Sequence, residues 1–174
     1  KPLDTKKAIE FLKDAAENGH APVLSLLLAE ESINPNITAH NSLTLLMLAA
    51  KNGHTTVVTL LLAEERVNPN IVNQNDSTAL IIAVDNAQAQ IVRVLLCNKR
   101  VDLTIGDHNN YTALIGAAHS GHAPLVSLLL TEFGVNPNIP YAFGYTALIS
   151  ASIFGYASVV EVLLTNDQIN PNII

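Results

Sequence analysis

Tryptophan is absent from this chain of 174 residues, and cysteine and methionine occur once each. With Cys97 as the sole cysteine, no disulfide can form within the chain, and a reducing, intracellular (cytoplasmic) compartment is the expected home. Charged residues make up only 14% and apolar residues 49%, which excludes an intrinsically disordered chain, poor in apolar residues and highly charged. No uninterrupted apolar run approaches the length of a membrane-spanning helix, so no membrane partner is expected. Positive charge is missing from the C-terminal part altogether. No Lys or Arg follows Arg100, while Asp102, Asp107, Glu132, Glu161 and Asp167 give residues 101–174 a charge of about −5. Nucleic acid and anionic lipid both require a basic face, which this stretch lacks. Phosphate-binding loops of the G-x-x-x-x-G-K-[ST] or G-x-G-x-x-G type and the G-x-S-x-G nucleophile motif are also missing, so no enzyme activity and no cofactor are expected.

What the chain has is an internal period. An apolar residue followed by Asn or Asp recurs at Ile33-Asn34, Val67-Asn68, Val101-Asp102, Val135-Asn136 and Ile169-Asn170, each step 34 residues from the last. The same register carries Gly19, Gly53, Ala87, Gly121 and Gly155, and the triplets Leu26–Leu28, Leu60–Leu62, Val94–Leu96, Leu128–Leu130 and Val162–Leu164. Each unit reads alike. In the second, Thr44–Ala50 is a short apolar helix, Asn52-Gly53-His54 breaks it, and Thr55 is expected to N-cap a second helix through Leu62. Asn68-Pro69-Asn70 is expected to stop that helix, and Asn73–Asp76 forms a polar tip. Helices of this length are marginal alone, so each unit needs its neighbours, as in a solenoid.

These residues resemble ankyrin repeats. The resemblance rests on Thr44–Ala50, Gly53-His54 and Val57–Leu62, on Thr112–Ala118, Gly121-His122 and Leu125–Leu130, and on Thr146–Ile149 onward. It implies an all-α repeat solenoid, a stack of helix-turn-helix units with extended finger loops. Residues 1–174 then form one array: a cap repeat at about 1–37, then units 38–71, 72–105, 106–139 and 140–174. The polar side chains Lys6, Lys7, Glu10, Lys13 and Asp14 of a first helix over Thr5–Glu17 suit a cap with one face in water. Val159, Val160, Val162, Leu163 and Leu164 read as interior positions, so the natural protein is expected to continue beyond residue 174. The chain departs from the family pattern in several places. The family's Pro is Leu45, Ala79, Ala113 and Ala147, and its His is Met47, Ile81, Ile115 and Ile149. An extra residue lies near Glu64–Arg66. The third unit is the most degenerate, with Ala87-Gln88 for Gly-His and Leu103-Thr104 for Pro-Asn, and is expected to be the weakest link.

Six histidines raise a metal reading, but a site needs three or four convergent ligands, and none is expected. His20, His54 and His122 fill the turn slot, where a structural role suffices. Cys97 reads as a small filler residue. The pairs Glu30-Glu31 and Glu64-Glu65 read as a solvated edge. The resemblance implies that Asn36, Asn70 and Asn138 bond the finger backbone, and also makes them conceivable targets of asparagine hydroxylation.

The aromatics carry the most pointed signal. Seven of the eight Phe and Tyr lie after residue 110. In the family register Tyr111, Phe143 and Tyr145 fall on fingers, and Phe154 falls beside Ile153 at the end of a first helix. Such rings either form a binding hot spot or pack between fingers and against a further repeat. The resemblance implies a non-catalytic, monomeric scaffold that binds a protein or peptide on its concave finger and first-helix face. The residues expected to make contact are His40, Asn41, Leu43, Lys51, Asn52, Gln74, Asn75, Asp85, Asn86, His108, Asn109, Tyr111, His119, Phe143, Tyr145, Ile153 and Phe154. The missing positive charge points to a partner with Lys or Arg beside an apolar anchor. The alternative is the targeting module of a larger protein, such as an effector enzyme of an intracellular bacterium delivered into a host cytosol. The abundance of Asn and Ile resembles such effectors in composition.

Overall fold

The computed structural model describes residues 5–173; residues 1–4 and 174, which the expected first and last units include, lie outside the described residues. Ten α-helices pair into five helix-turn-helix repeats among the described residues. They are α1 (Thr5–Asn18) with α2 (Ala21–Leu28), α3 (Leu45–Lys51) with α4 (Thr55–Ala63), and α5 (Ala79–Asp85) with α6 (Ala89–Leu96). These are followed by α7 (Ala113–His119) with α8 (Ala123–Thr131), and α9 (Ala147–Ile153) with α10 (Ala157–Leu164). The chain divides into two compact units, residues 1–102 and 103–174. The division falls where Leu103-Thr104 replaces the Pro-Asn of the other fingers. In the first unit α3 packs between α1 and α5, and α4 between α2 and α6. In the second, α7 packs on α9 and α8 on α10.

Each first helix after α1 begins behind a buried threonine. The hydroxyls of Thr44, Thr78 and Thr146 accept the backbone N–H of Met47, Ile81 and Ile149 at 3.2, 3.3 and 3.4 Å. Such a cap contributes about 1 kcal/mol, so these turns are held without the family's histidine. At Met47 the thioether also accepts the Thr44 N–H, closing a capping box. Thr112 starts α7 with the same extended backbone and no side-chain cap bond. Leu45–Ala50 and Ala79–Val84 are buried throughout, which is the mark of interior helices.

The second helices begin differently from the expectation. Thr55 is the first residue of α4, and the N-cap is His54, which makes no side-chain cap bond. The imidazole is used between repeats instead: its Nε2–H donates to the Glu17 carbonyl at 2.7 Å. That ring lies over Gly19, where a Cβ would sit 2.6 Å from His54 Nδ1. In the second unit Tyr156 lies over Gly121 in the same way, 2.8 Å from where a Cβ would be. Both glycines have positive φ, so the turn and the close approach select the same residue.

The fingers are tied by asparagines, as the resemblance implies. Asn34, Asn68, Asn136 and Asn170 each accept the backbone N–H two residues on through Oδ1. The next asparagine reaches the following repeat. Nδ2 of Asn36, Asn70 and Asn138 donates at 2.7 Å to the carbonyls of Arg66, Arg100 and Gln168. Their Oδ1 atoms accept the N–H of Asn68, Asp102 and Asn170.

The helix α4 ends at Ala63, ahead of the expected Pro69 stop. Arginines close these ends. The Arg66 guanidinium donates to the carbonyls of Leu28, Glu31 and Ile33, and that of Arg100 to those of Leu62, Glu65 and Val67. Last-turn carbonyls have no partner within their own helix, so each arginine satisfies groups that the preceding repeat leaves open. Two other readings change. Cys97 is exposed at the C-cap of α6 rather than a filler, because it lies one residue past the buried Leu96. Leu164, expected inside, is 52% exposed.

Two measurements test this framework. Ala87 takes the glycine position with φ +55, which disfavours a side chain. Ala87→Gly is expected to raise stability by about 1 kcal/mol, read as an upward shift of the urea midpoint at unchanged slope. The side-chain and backbone hydrogen bonds from Arg66 hold the Glu64 carboxyl at about 2, against an ordinary 4.5. Its stabilising effect is therefore complete above about pH 4.5 and lost as pH falls toward 2. NMR titration should place the Glu64 midpoint near the lower value; the stability gain is small and fades with salt, because the pair faces water.

Candidate interaction surface

Two of the fingertips close as hairpins. In the first unit Thr38 bridges Thr44, Ala39 N–H donates to the Leu43 carbonyl at 2.7 Å, and Asn41-Ser42 turns with φ of +61 and +57. In the second, Tyr141 bridges Tyr145 through Tyr141 N–H and the Tyr145 carbonyl at 2.8 Å, and Phe143-Gly144 turns with φ of +62 and +81. Positive φ at both central residues is the turn whose twist suits a two-residue hairpin. The other tips use a side chain. Asn73 Oδ1 accepts the N–H of Asn75 and Ser77, and Asp107 Oδ1 those of Asn109 and Tyr111. Neighbouring tips are joined by Gln74 N–H to the Asn41 carbonyl at 3.2 Å in the first unit. In the second unit Ala142 N–H donates to the Asn109 carbonyl at 3.1 Å, and Asn110 Nδ2 to that of Pro140 at 2.8 Å.

In the first unit His40 and Asn41 are exposed on the hairpin and Leu43 is half-buried. Gln74 and Asn75 are exposed on the next tip. Lys51 with Asn52, and Asp85 with Asn86, are exposed at the ends of the adjacent helices α3 and α5. Two of these side chains have a local task that sequence reasoning missed. Nδ2 of Asn52 and of Asn86 donates to the Leu48 and Ile82 carbonyls, capping their own helices.

The second unit brings its predicted residues together. Seven rings follow one another: Phe143 to Tyr145 at 6.3 Å, Tyr145 to Tyr141 at 6.2 Å, and Tyr141 to Tyr111 at 5.8 Å. Tyr111 then meets His119 at 6.0 Å, His119 meets Phe154 at 4.5 Å, and Phe154 meets Tyr156 at 6.1 Å. Most pairs are edge-on, the geometry that ring quadrupoles favour. Tyr111, Tyr141, His119 and Tyr156 are half-buried, while the rim is bare: Phe143 is 94% exposed, Ile153 59% and Phe154 50%. The rings thus pack on one another and still leave apolar surface outside. Sequence reasoning did not place Tyr141 and Tyr156 in the surface. Tyr156 carried a signal, since it fills the slot that holds His54 and His122. His108 and Asn109 are exposed on the tip that holds the Phe143 hairpin, and Asn109 Nδ2 donates to His108 Nε2 at 3.0 Å.

Among the described residues, no three His, Cys, Asp or Glu side chains come together as a metal-binding group. His119 Nδ1 lies 3.4 Å from the hydroxyl of fully buried Ser150, so this histidine joins the ring chain to the interior. His119→Ala removes two ring contacts and this bond. It is expected to cost about 1–3 kcal/mol of stability, measured by urea denaturation.

No match is found among curated proteins. A family model described as ankyrin repeats, in three copies, matches residues 12–107 and again 99–174. Helix order, finger geometry and this coverage agree, and the chain belongs to the ankyrin-repeat family.

Proposed function

We propose that this chain is a non-catalytic interaction scaffold whose second unit grips a protein or peptide partner through the ring chain and its exposed rim. Ankyrin repeats are generally protein–protein interaction modules, and proteins built from them are typically non-catalytic. The observation that carries the reading is the bare edge of the ring chain, Phe143, Tyr145, Ile153 and Phe154, on a unit rich in buried apolar residues elsewhere. A cluster of exposed rings held in place by packed rings behind it is the composition of a hot spot. Residues 103–174 hold Asp107, Glu132, Glu161 and Asp167 and no Lys or Arg. That charge favours a partner with Lys or Arg beside an apolar anchor, since complementary charge steers the encounter. In the first unit His40, Asn41, Leu43, Lys51, Asn52, Gln74, Asn75, Asp85 and Asn86 are a separate set of candidate contacts, polar and of mixed charge apart from Leu43. No helix among the described residues is long and apolar enough to cross a membrane.

The test is affinity capture with the wild-type chain beside Tyr111→Ala/Phe143→Ala/Tyr145→Ala/Phe154→Ala, with circular dichroism confirming that both fold. A partner bound by the wild type is expected to bind the variant about thirtyfold or more weakly. Raising the salt from 0.05 to 0.3 M is expected to weaken wild-type binding as charges are screened. A partner held equally by both would move the contact to the first unit, and capture by neither would remove the reading.

A further inference from the structure

Resting on that reading, we infer that Phe143 is the specificity-determining anchor of the surface, displayed against its own backbone preference to enter an apolar clamp flanked by Lys or Arg on the partner polypeptide. The two fingertip hairpins of the chain have nearly the same backbone at the first turn residue: φ +61 and ψ 25 at Asn41, φ +62 and ψ 17 at Phe143. This is the left-handed region, where Asn is tolerated and a bulky side chain is strained. The same register position is Asn41 in the first unit's hairpin; Asn75 and Asn109 also fill it, in tips whose left-handed residue is the next one, Asp76 and Asn110. Only the second unit's hairpin puts a ring there.

Folding gains little from that ring. It is 94% exposed, and its one ring contact is a tilted approach to Tyr145 at 6.3 Å. A residue that breaks a local rule without a gain in the folded chain points to a gain made elsewhere. The hairpin beneath it is well fixed. Tyr141 N–H bonds the Tyr145 carbonyl, Ala142 N–H bonds the Asn109 carbonyl, and Asn110 Nδ2 bonds the Pro140 carbonyl. The ring is therefore presented with little freedom left to lose on binding, which is what preorganised anchors provide. Projecting from a tip, it can be buried only by side chains that close around it, so the partner segment is apolar there. The unit has no cation of its own among Lys and Arg, and the faces of Phe143 and Tyr145 attract one, so Lys or Arg flanks the clamp.

The experiment uses the whole chain, wild type, Phe143→Asn and Phe143→Leu, and a phage-displayed library of random linear dodecapeptides as the probe. Phe143→Asn is expected to melt about 2–4 °C above wild type, because it installs the residue that the first hairpin already uses. The wild type is expected to enrich peptides with apolar side chains beside Lys or Arg. Those peptides should bind Phe143→Asn at least tenfold more weakly and Phe143→Leu within about threefold of wild type, since Leu keeps the apolar knob and the strain. A Phe143→Asn chain that melts at or below wild type overturns the strained display. Enriched peptides indifferent to residue 143, or lacking Lys and Arg, overturn the anchor and leave the surface reading standing. A folded wild type that enriches no peptide overturns the surface reading and the anchor with it.

Discussion

The helices after α1 have seven to nine residues and recover too few hydrogen bonds to offset their own nucleation, and the caps and ties between repeats answer that constraint. The unmet needs are an apolar face on each helix and a set of backbone groups at each end with no partner inside the helix. Neighbouring repeats supply the first and part of the second. Thr44, Thr78 and Thr146 close the starts of α3, α5 and α9 from within the repeat. Arg66 and Arg100 close the ends of α2 and α4 from the next repeat. Asn36, Asn70 and Asn138 fasten each finger to the one that follows through both atoms of their amides. Most of these bonds cross about 30 residues of sequence, so the period is a statement about which groups meet.

The candidate surface grows out of this framework rather than being added to it. The slot over the turn glycine is His54 in the first unit and Tyr156 in the second. Changing that side chain leaves the contact with glycine intact and turns a structural ring into the last link of an aromatic series that begins at Phe143. The fingertip bonds do likewise: the Asn109 carbonyl that organises neighbouring tips also holds the hairpin on which Phe143 stands. Within the second unit the ring chain meets the interior at His119 and Ser150.

Among the described residues, Ser42, Ala87 and Phe143 hold a positive φ without being Gly, Asn or Asp, and the last two differ in kind. Ala87 occupies a glycine turn in the most degenerate repeat, with its methyl group exposed, and nothing in the structure explains its choice. Phe143 occupies an asparagine turn and displays a large apolar surface. Under the proposed reading, strain that fixes a ring in space serves recognition, whereas the strain at Ala87 carries no ring to present. Within residues 103–174 there is no Lys or Arg to compete for the ring faces.

Much of this architecture was legible in residue order. The 34-residue spacing, the threonines Thr44, Thr78, Thr112 and Thr146, the turn Gly in four repeats of five and the Asn-Pro-Asn fingers depend on local backbone chemistry, which repeats wherever the same residues repeat. The clustering of aromatics after residue 110 was likewise visible before any coordinates. Tertiary structure alone decided what each repeated side chain touches. His54 serves Glu17 rather than its own helix, Arg66 reaches Leu28, and Tyr141 joins Tyr111 across two fingers. It also decided that Phe143 is bare while Tyr111 is half-enclosed, though both were assigned to fingers. The reason is physical: caps and turns are set by residues two to four apart, whereas contact and exposure are set by a neighbour one whole repeat away, in a geometry that exists only once the repeats have packed.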